Sequence, residues 1–174
     1  MDDRPVIRYL GYDLSEAALA HAARNLAPLG ATVELRQGDL LEGLQAQQES
    51  FDLVFSSFAL HHLTAADKAA FFQRAHPQIE EHGLLLLVDV MREEDERELQ
   101  PHLNRYCDWL RSDWKALAPE ALDLLCDHIQ HNDLPEIASE LAAMATRAGF
   151  GEPVEINRFG WYRTWFFEKN ARSP

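Results

Sequence analysis

Residues 51–90, FDLVFSSFALHHLTAADKAAFFQRAHPQIEEHGLLLLVDV, hold the pattern that decides the fold. The run FDLVFSS has the aromatic and β-branched composition, and the length, of a buried strand. A helix is predicted to begin at Thr64, where Asp67 gives capping-box spacing, and to end at Gly83. The run LLLLVDV is continuously apolar, as parallel strands covered on both faces are. A strand, a helix and a second strand in this order predict a parallel α/β unit.

The alternation of strands and helices continues on both sides of this unit. A short strand is predicted to end at Asp13, and Ser15 is a candidate N-cap for a helix that runs to about Leu26. Residues 31–39, ATVELRQGD, alternate as a strand does. Near the other end, PVEINRF and WYRTWFFEK flank Gly160, which predicts an antiparallel hairpin. The sequence therefore predicts an α/β sheet with an antiparallel strand at or near one edge.

Composition narrows the class of protein and of ligand. The formal net charge of −13 argues against nucleic-acid partners and against docking on anionic membranes, because both need basic surface. No apolar run is long enough to span a bilayer or to form a signal peptide. Cys107 and Cys126 are predicted to be reduced thiols in the cytoplasm, with a disulfide as the alternative. We expect a cytoplasmic protein with a small-molecule substrate.

The chain reads as one domain, residues 1–174, with an acidic helical insertion over residues 92–134. No repeats, low-complexity tracts or Gly/Ser linkers interrupt it. Residues 92–136 hold twelve acidic and five basic side chains, so this stretch supplies more than half of the net charge. The insertion is predicted to be helical. The last helix of the chain is predicted to start near Asp133 and to end at Gly149.

Several motifs, in this order along the chain, resemble the class I S-adenosylmethionine-dependent methyltransferases. Asp13 ends one strand, Asp39 follows the next in QGDL, and FDLVFSSFALHHL forms a third strand with its exit loop. EEHGLLLLVDV is similar to the fifth strand of that family, and RAGFGEPVEINRFGWYRTWFFEK to its final helix and closing hairpin. The resemblance implies a Rossmann-like methyltransferase sheet with a C-terminal antiparallel hairpin, and S-adenosylmethionine as the cofactor.

The resemblance also implies a set of cofactor-binding residues. Asp13 would accept hydrogen bonds from both ribose hydroxyls, and Leu14 would lie against the adenine ring. Asp39 would meet the exocyclic amine and the backbone of Leu40 a ring nitrogen. The remaining contacts, along the methionine part, fall in the loop that holds Ser56 and Phe58. Without the resemblance, Asp13 is interpreted as a carboxylate at a helix start, Leu14 as a core residue and Asp39 as part of a turn.

No catalytic residue is assigned from the sequence. His61 and His62 are candidate general bases, but a loop-bonding and a packing role are the favoured interpretation. Methyl transfer to a nucleophilic atom often needs mainly proximity and in-line orientation. His128 and His131 stand one helical turn apart, but no third histidine or cysteine follows at a ligand interval, so no metal is expected.

In the family that the chain resembles, insertions before the last helix form a lid over the substrate. Tyr106, Trp109 and Trp114 would give such a lid an aromatic wall. A solvated helical hairpin whose aromatic side chains simply pack is the alternative. Either arrangement would set the choice of methyl acceptor through its shape, which the sequence does not specify.

One part of the family pattern is missing. The first strand, its GxGxG-like loop and the following helix do not occur in the 174 residues, and that strand is central in the family's sheet. The backbone amides of the loop hold the amino-acid end of the cofactor. Three arrangements would fill the gap: direct pairing of strands two and four, a strand from a partner or a second copy, or an upstream segment. The expectation is an N-terminally incomplete, truncated form.

Three functions follow from these motifs. The first is an S-adenosylmethionine-dependent methyltransferase acting on a small molecule, with activity dependent on the missing segment. The second is a non-catalytic scaffold or subunit with the same fold, and the missing loop motivates it. The third is a nicotinamide-dependent oxidoreductase, because Asp13 would serve its ribose equally well. The QGDL turn and the closing hairpin fit this third function less well.

Overall fold

The computed structural model describes residues 8–169. The chain divides into two compact units, one up to Gln48 and the other from Glu49. The first unit consists of β1 (Arg8–Asp13), α1 (Glu16–Leu26), β2 (Thr32–Gln37) and α2 (Leu40–Ala46). β1 and β2 pair in parallel, with Tyr9 opposite Val33 and Asp13 opposite Gln37.

Local signals in the first unit act as the sequence predicts. The side chain of Ser15 caps α1 by accepting a hydrogen bond from the backbone N–H of Ala18. Gly30 adopts a φ of 65° after the short 3₁₀ turn Ala27–Leu29, which is the left-handed conformation that closes helices. Gly43 of α2 leaves room for the ring of Tyr12, since a Cβ there would lie 2.8 Å from it.

The second unit contains five strands and four α-helices among the described residues. In chain order they are β3 (Phe51–Ser57), α3 (Ala65–Ala75), β4 (Ile79–Arg92), α4 (Leu99–Asp113), α5 (Pro119–Asn132), β5 (Glu136–Ile137), α6 (Ala138–Arg147), β6 (Val154–Phe159) and β7 (Tyr162–Glu168). Short 3₁₀ turns cover Leu60–His62 and His76–Gln78.

The sheet of this unit has the strand order β3-β4-β7-β6, and β5 pairs with the end of β4. β3 runs parallel to β4, while β7 and β6 are antiparallel and form the predicted hairpin across Gly160. Gly160 has a φ of 58°, which favours glycine at the tip of the hairpin. The predicted α/β fold class with its antiparallel hairpin is confirmed.

The core of the second unit lies where α3 packs on the sheet. Phe71 and Phe72 of α3 are fully buried, as are Phe150 and Phe167. The ring of Phe72 lies 5.8 Å from that of Phe167 in an edge-on contact. Each such side chain contributes about 1.5–3 kcal/mol through burial, so this aromatic group fixes α3 against the sheet.

Three boundaries and one burial prediction were wrong. The helix that begins at Thr64 ends at Ala75, and Ile79 to Gly83 already belong to β4, because Pro77 follows immediately in a 3₁₀ turn. The last helix begins at Ala138, several residues after Asp133. β3 is not buried on both faces, because Leu53 and Phe55 are each 51 % exposed.

Direct pairing of strands two and four of the family pattern is not the arrangement found. Among residues 8–169, β1 pairs with β2 alone, and β3 pairs with β4 alone. The other two ways of supplying the missing strand stay predictions. Within the same residues, none of the helices combines the length and apolar character needed to cross a membrane.

The predicted helical insertion forms the pair α4 and α5, which has its own small core. Cys107 and Leu110 of α4 are buried with Cys126 and Ile129 of α5. Both cysteines are free, and the Cys107 thiol contacts the carbonyl oxygen of Cys126 at 3.7 Å. The helical content is as predicted, and the role of the pair as a lid stays a prediction.

Aromatic side chains join this helical pair to the closing hairpin. Tyr106 is buried and its hydroxyl donates to that of Tyr162 at 2.8 Å. The ring of Trp109 lies 5.8 Å from that of Trp161 and 5.4 Å from that of Phe159. Tyr106 and Trp109 therefore pack against β6 and β7, as the alternative interpretation of the insertion proposes.

Glu96 anchors the start of α4 to the hairpin through a charged hydrogen-bond group. Its carboxylate accepts from the Trp161 indole N–H at 2.8 Å, from the Arg105 guanidinium at 2.9 Å and from the backbone N–H of Glu93 at 2.9 Å. His102 Nδ1 lies 3.0 Å away. Burial alone would raise the pKa of Glu96, but these donors outweigh it and lower the pKa to about 2.

We expect acid to weaken the second unit through Glu96. Its folded pKa lies below the unfolded one, so this stabilisation is present above pH 4.5 and is lost between about pH 4.5 and pH 2. The loss should be about 1–2 kcal/mol, because Arg105 is half exposed and its ion pair is screened. Urea unfolding across this pH range measures it. Glu96→Gln should flatten the dependence, and an equally steep profile in that variant contradicts the assignment.

Candidate functional site

Two aspartates lie at one edge of the first unit, where its parallel strands end. Asp13 is the last residue of β1, and Asp39 follows β2 after Gly38. The N–H of Gly38 donates to the carbonyl oxygen of Asp13 at 3.1 Å, which ties the two strand exits together. The exposed Asp13 carboxylate uses Oδ1 to accept from the backbone N–H of Ser15 at 2.7 Å. The carboxyl edge of a parallel sheet is where open α/β proteins bind ligands.

Asp39 is the N-cap of α2. Its Oδ1 accepts hydrogen bonds from the backbone N–H groups of Leu41 and Glu42, at 2.8 and 3.1 Å. Its Oδ2 accepts none from the part of the chain that the structure describes. Leu40 is the first helical residue, so its N–H has no carbonyl partner within the helix. One carboxylate oxygen and one N–H therefore remain available side by side.

Leu14 lies beside the two aspartates and is 70 % exposed, so it is not a core residue. Its carbonyl oxygen accepts a hydrogen bond from the side-chain amide of Gln37 at 3.0 Å. This bond fixes the backbone just after Asp13. The edge thus presents an apolar side chain next to acceptors and a donor, a combination that suits a flat heterocycle joined to a sugar.

Ser56 and Phe58 lie at the end of β3 in the second unit. Ser56 is buried, and its hydroxyl has no hydrogen-bond partner within residues 8–169. Phe58 has a φ of 50°, which is rare for a bulky residue and costs energy. Its N–H donates to Val88 at 2.8 Å, and its ring packs edge-on against Tyr162. Such strained backbone often occurs in functional loops.

The same loop continues into a cluster of histidines and aspartates that the sequence analysis missed as a group. His61 is buried, with Nδ1 2.5 Å from Asp89 Oδ1 and Nε2 3.8 Å from Asp133 Oδ2. His62 is 42 % exposed, and its Nδ1 lies 3.2 Å from Asp133 Oδ1. One signal was visible in the sequence: Asp89 interrupts a continuously apolar strand, so its carboxylate needs a buried partner.

One backbone hydrogen bond and two basic side chains fix the segment that follows Asp133 next to this loop. Asp133 ends α5, and the next residue, Leu134, donates its N–H to the carbonyl oxygen of His61 at 2.6 Å. The buried ammonium of Lys68 donates to the carbonyl oxygen of Leu134. Arg92 Nε donates to the carbonyl oxygen of Pro135 at 2.8 Å. The segment that follows α5 is therefore fixed from two sides.

The surroundings shift the pKa values of the cluster's members in different directions. Burial lowers the pKa of His61, but the Asp89 hydrogen bond and the charges of Asp89 and Asp133 outweigh it and raise that pKa. Burial and the neighbouring His61 lower the pKa of His62. Burial raises the pKa of Asp133 against the attraction of the histidines. The paired, buried His61 lacks the solvent access of a simple general base.

Known proteins resemble this chain both in sequence family and in fold. Residues 2–83 match the model of a family described as a methyltransferase domain. No curated protein sequence matches the chain. An O-methyltransferase family protein from Burkholderia thailandensis has a similar fold, with a TM-score of 0.65 at 16 % identity over 97 % of this chain and 45 % of that one.

Two further solved structures share the fold. Human N-acetylserotonin methyltransferase in complex with SAM gives a TM-score of 0.61 at 14 % identity, over 98 % of this chain and 50 % of that one. An O-methyltransferase family 2 protein from Planctomyces limnophilus in complex with apigenin gives 0.63 at 17 %, over 94 % and 42 %. The chain thus spans about half the length of the structures that it matches.

Proposed function

We propose that the chain takes part in methyl transfer from S-adenosylmethionine to a small molecule. Its resemblance to the class I S-adenosylmethionine-dependent methyltransferases is confirmed by the family match and the shared fold. One observation carries the proposal. Asp13, Asp39 and the N–H of Leu40 lie together at the carboxyl edge of β1 and β2.

Each residue of this edge has a defined task in the proposal. The carboxylate of Asp13 accepts from the two ribose hydroxyls, and charge-assisted bonds of this kind are about twice as strong as neutral ones. Asp39 Oδ2 accepts from the exocyclic amine, and Leu40 N–H donates to a ring nitrogen. Leu14 covers one face of the adenine. Ser56 and Phe58 belong to the loop proposed to pass the methionine part.

The cofactor supplies a methyl group that a sulfonium has already activated. The protein then has to hold the acceptor in line with it and keep water away, which proximity and orientation accomplish. No side chain is assigned as a catalytic base. We propose a cytoplasmic setting and a small-molecule acceptor. The net charge of −13 favours such an acceptor over nucleic acid or membrane, because both of those partners need basic surface.

The names of two proteins of similar fold support a small acceptor. The Planctomyces protein was solved with apigenin, and the human one is named for N-acetylserotonin. Both names refer to compact organic molecules. We extend the class of acceptor to this chain and leave the methylated atom open.

A non-catalytic scaffold or subunit is the second candidate. The position of β3 favours it, because β3 is the outermost described strand of its sheet and a strand from a partner or from a second copy would pair with its edge. In this form the chain would use the fold for association. Truncation relative to a longer methyltransferase stays part of the proposal.

Calorimetric titration with S-adenosylhomocysteine tests the proposed function. We expect saturable heat at one site, and competition by S-adenosylmethionine. NADH serves as the control ligand, since an oxidoreductase would bind it through the same ribose carboxylate. Binding of NADH in place of S-adenosylhomocysteine contradicts the proposal, and heat with neither ligand favours the scaffold.

A further inference from the structure

We propose that His61, His62 and Asp133 form a binding site for a divalent transition-metal ion, with Zn²⁺ as the closest match in ligand chemistry. One ligand atom from each side chain lies within 4.8 Å of the other two. The site belongs to the second unit alone and does not depend on the proposed methyl transfer. Its ligands come from the loop after β3 and from the end of α5, which are more than 60 residues apart in the chain.

The distances between the ligand atoms are already close to those around a shared ion. His61 Nε2 is 3.8 Å from Asp133 Oδ2, and His62 Nδ1 is 3.2 Å from Asp133 Oδ1. Ligands about 2.0–2.2 Å from a tetrahedral zinc ion lie roughly 3.3–3.6 Å from one another. The histidine rings are tilted by 51° with centroids 4.0 Å apart, so they do not stack flat and both nitrogens can reach a common point.

An independent observation points to a missing ligand. Asp133 is 5 % exposed, yet its Oδ1 makes no hydrogen bond with any described residue. His62 Nδ1 is near enough, but the pair lacks hydrogen-bond geometry. A buried carboxylate oxygen without a donor is costly. A cation between Asp133 and the two imidazoles would satisfy it.

A second shell of the kind that metal sites use is already in place. Asp89 Oδ1 binds His61 Nδ1, which directs Nε2 towards Asp133. Asp89 Oδ2 is itself fixed by the N–H of Leu60 at 2.8 Å. A carboxylate, a histidine and a metal in this sequence form the usual arrangement that sets the tautomer and orientation of a ligating histidine.

The donor set selects the class of ion. Two imidazole nitrogens and one carboxylate suit Zn²⁺, Co²⁺ or Ni²⁺, whereas Mg²⁺ and Ca²⁺ prefer oxygen ligands. The exposure of His62, 42 %, leaves a route for the ion and room for a water as the fourth ligand. The spacing of His128 and His131 along the sequence does not predict a metal site, whereas the fold brings together a different set of side chains.

Titration of the metal-free, untagged protein with ZnCl₂, followed by calorimetry, tests the site. Absorption spectroscopy of the Co²⁺-loaded protein adds a readout of the coordination number. We expect a single tight site in the wild type. His62→Ala and Asp133→Asn should each lower the affinity for Zn²⁺ by about tenfold or more. His62 is half exposed, so its variant should fold, and thermal unfolding verifies this.

His131→Ala is the matched control. His131 lies on α5 as Asp133 does, but its side chain is 70 % exposed and bonds only within its own helix turn. This variant should bind Zn²⁺ as the wild type does. Failure of the wild type to bind, or equal losses in His131→Ala and His62→Ala, overturns the proposal. Neither result bears on S-adenosylhomocysteine binding, which is measured separately.

Discussion

Replacing Arg92 with methionine (Arg92→Met) should lower the free energy of unfolding by about 3–5 kcal/mol, the usual cost of breaking a buried, hydrogen-bonded ion pair by removing one partner. Arg92 is buried at the end of β4. Its guanidinium donates to the carbonyl oxygens of Pro135, Glu96 and Arg97 at 2.8–3.0 Å.

The ion pair with Glu136 is part of this loss. Arg92 Nη2 lies 3.6 Å from Glu136 Oε1, and the Glu136 carboxylate is itself buried. After the substitution, Lys68, with its ammonium 3.7 Å from the other oxygen, is the one ion-pair partner left to Glu136 among residues 8–169. Methionine keeps most of the side-chain volume, so the measured loss reports the polar contacts more than a cavity.

Urea unfolding followed by circular dichroism measures the effect. Arg97→Met is the matched control, because Arg97 stands five residues further on and is exposed. It should change the free energy of unfolding by less than about 0.5 kcal/mol. If both variants unfold at the same urea concentration, the network around Arg92 does not stabilise the second unit as we describe.

The second large effect concerns the proposed ribose carboxylate. Asp13→Asn should weaken S-adenosylhomocysteine binding by about 10–100-fold, because the loss of a charged hydrogen-bond acceptor costs about 1.5–3 kcal/mol. Asparagine retains a side-chain oxygen for the N–H of Ser15, which Asp13 Oδ1 accepts at 2.7 Å. The start of α1 is therefore preserved, and the change isolates the ligand contact.

Glu16→Gln controls for the general loss of negative charge. Glu16 is an exposed carboxylate in the first turn of α1, three residues after Asp13. Its neutralisation should leave the affinity unchanged within error, since it has no role in the proposed site. Equal weakening in both variants would mean that Asp13 acts through the net charge, and full affinity in Asp13→Asn would remove it from the site.

Local signals in the sequence predicted most of the fold. Ser15 and Thr64 cap the helices that they were expected to cap. An N-cap is a local signal, because it needs only a side-chain oxygen that accepts from the free N–H three residues later in the chain. The hairpin across Gly160 is encoded by two strand patterns and one positive φ. Both aspartates of the candidate cofactor site were proposed from the sequence because each lies where a strand ends.

The remainder depends on contacts between distant residues. The burial of β3 was overestimated because an apolar run does not say how many neighbours a strand has, and Leu53 and Phe55 lie exposed on the outermost strand of the second unit's sheet. His61 and Asp133 could not be paired in advance, since the path of α4 and α5 decides where α5 ends. Asp133 was read as the start of a helix, while it closes one.

The position of β7 in the sheet has a consequence for the order in which the second unit can assemble. β4 pairs Leu84 with Glu168 and Val90 with Tyr162, partners more than seventy residues apart in the chain. Contacts of such high sequence separation slow folding, because the loop entropy is lost before the contact forms. On the ribosome, β4 would therefore emerge with one edge open and wait for nearly the whole unit to be synthesised. This interval is when an apolar strand is most exposed to chaperones and to aggregation.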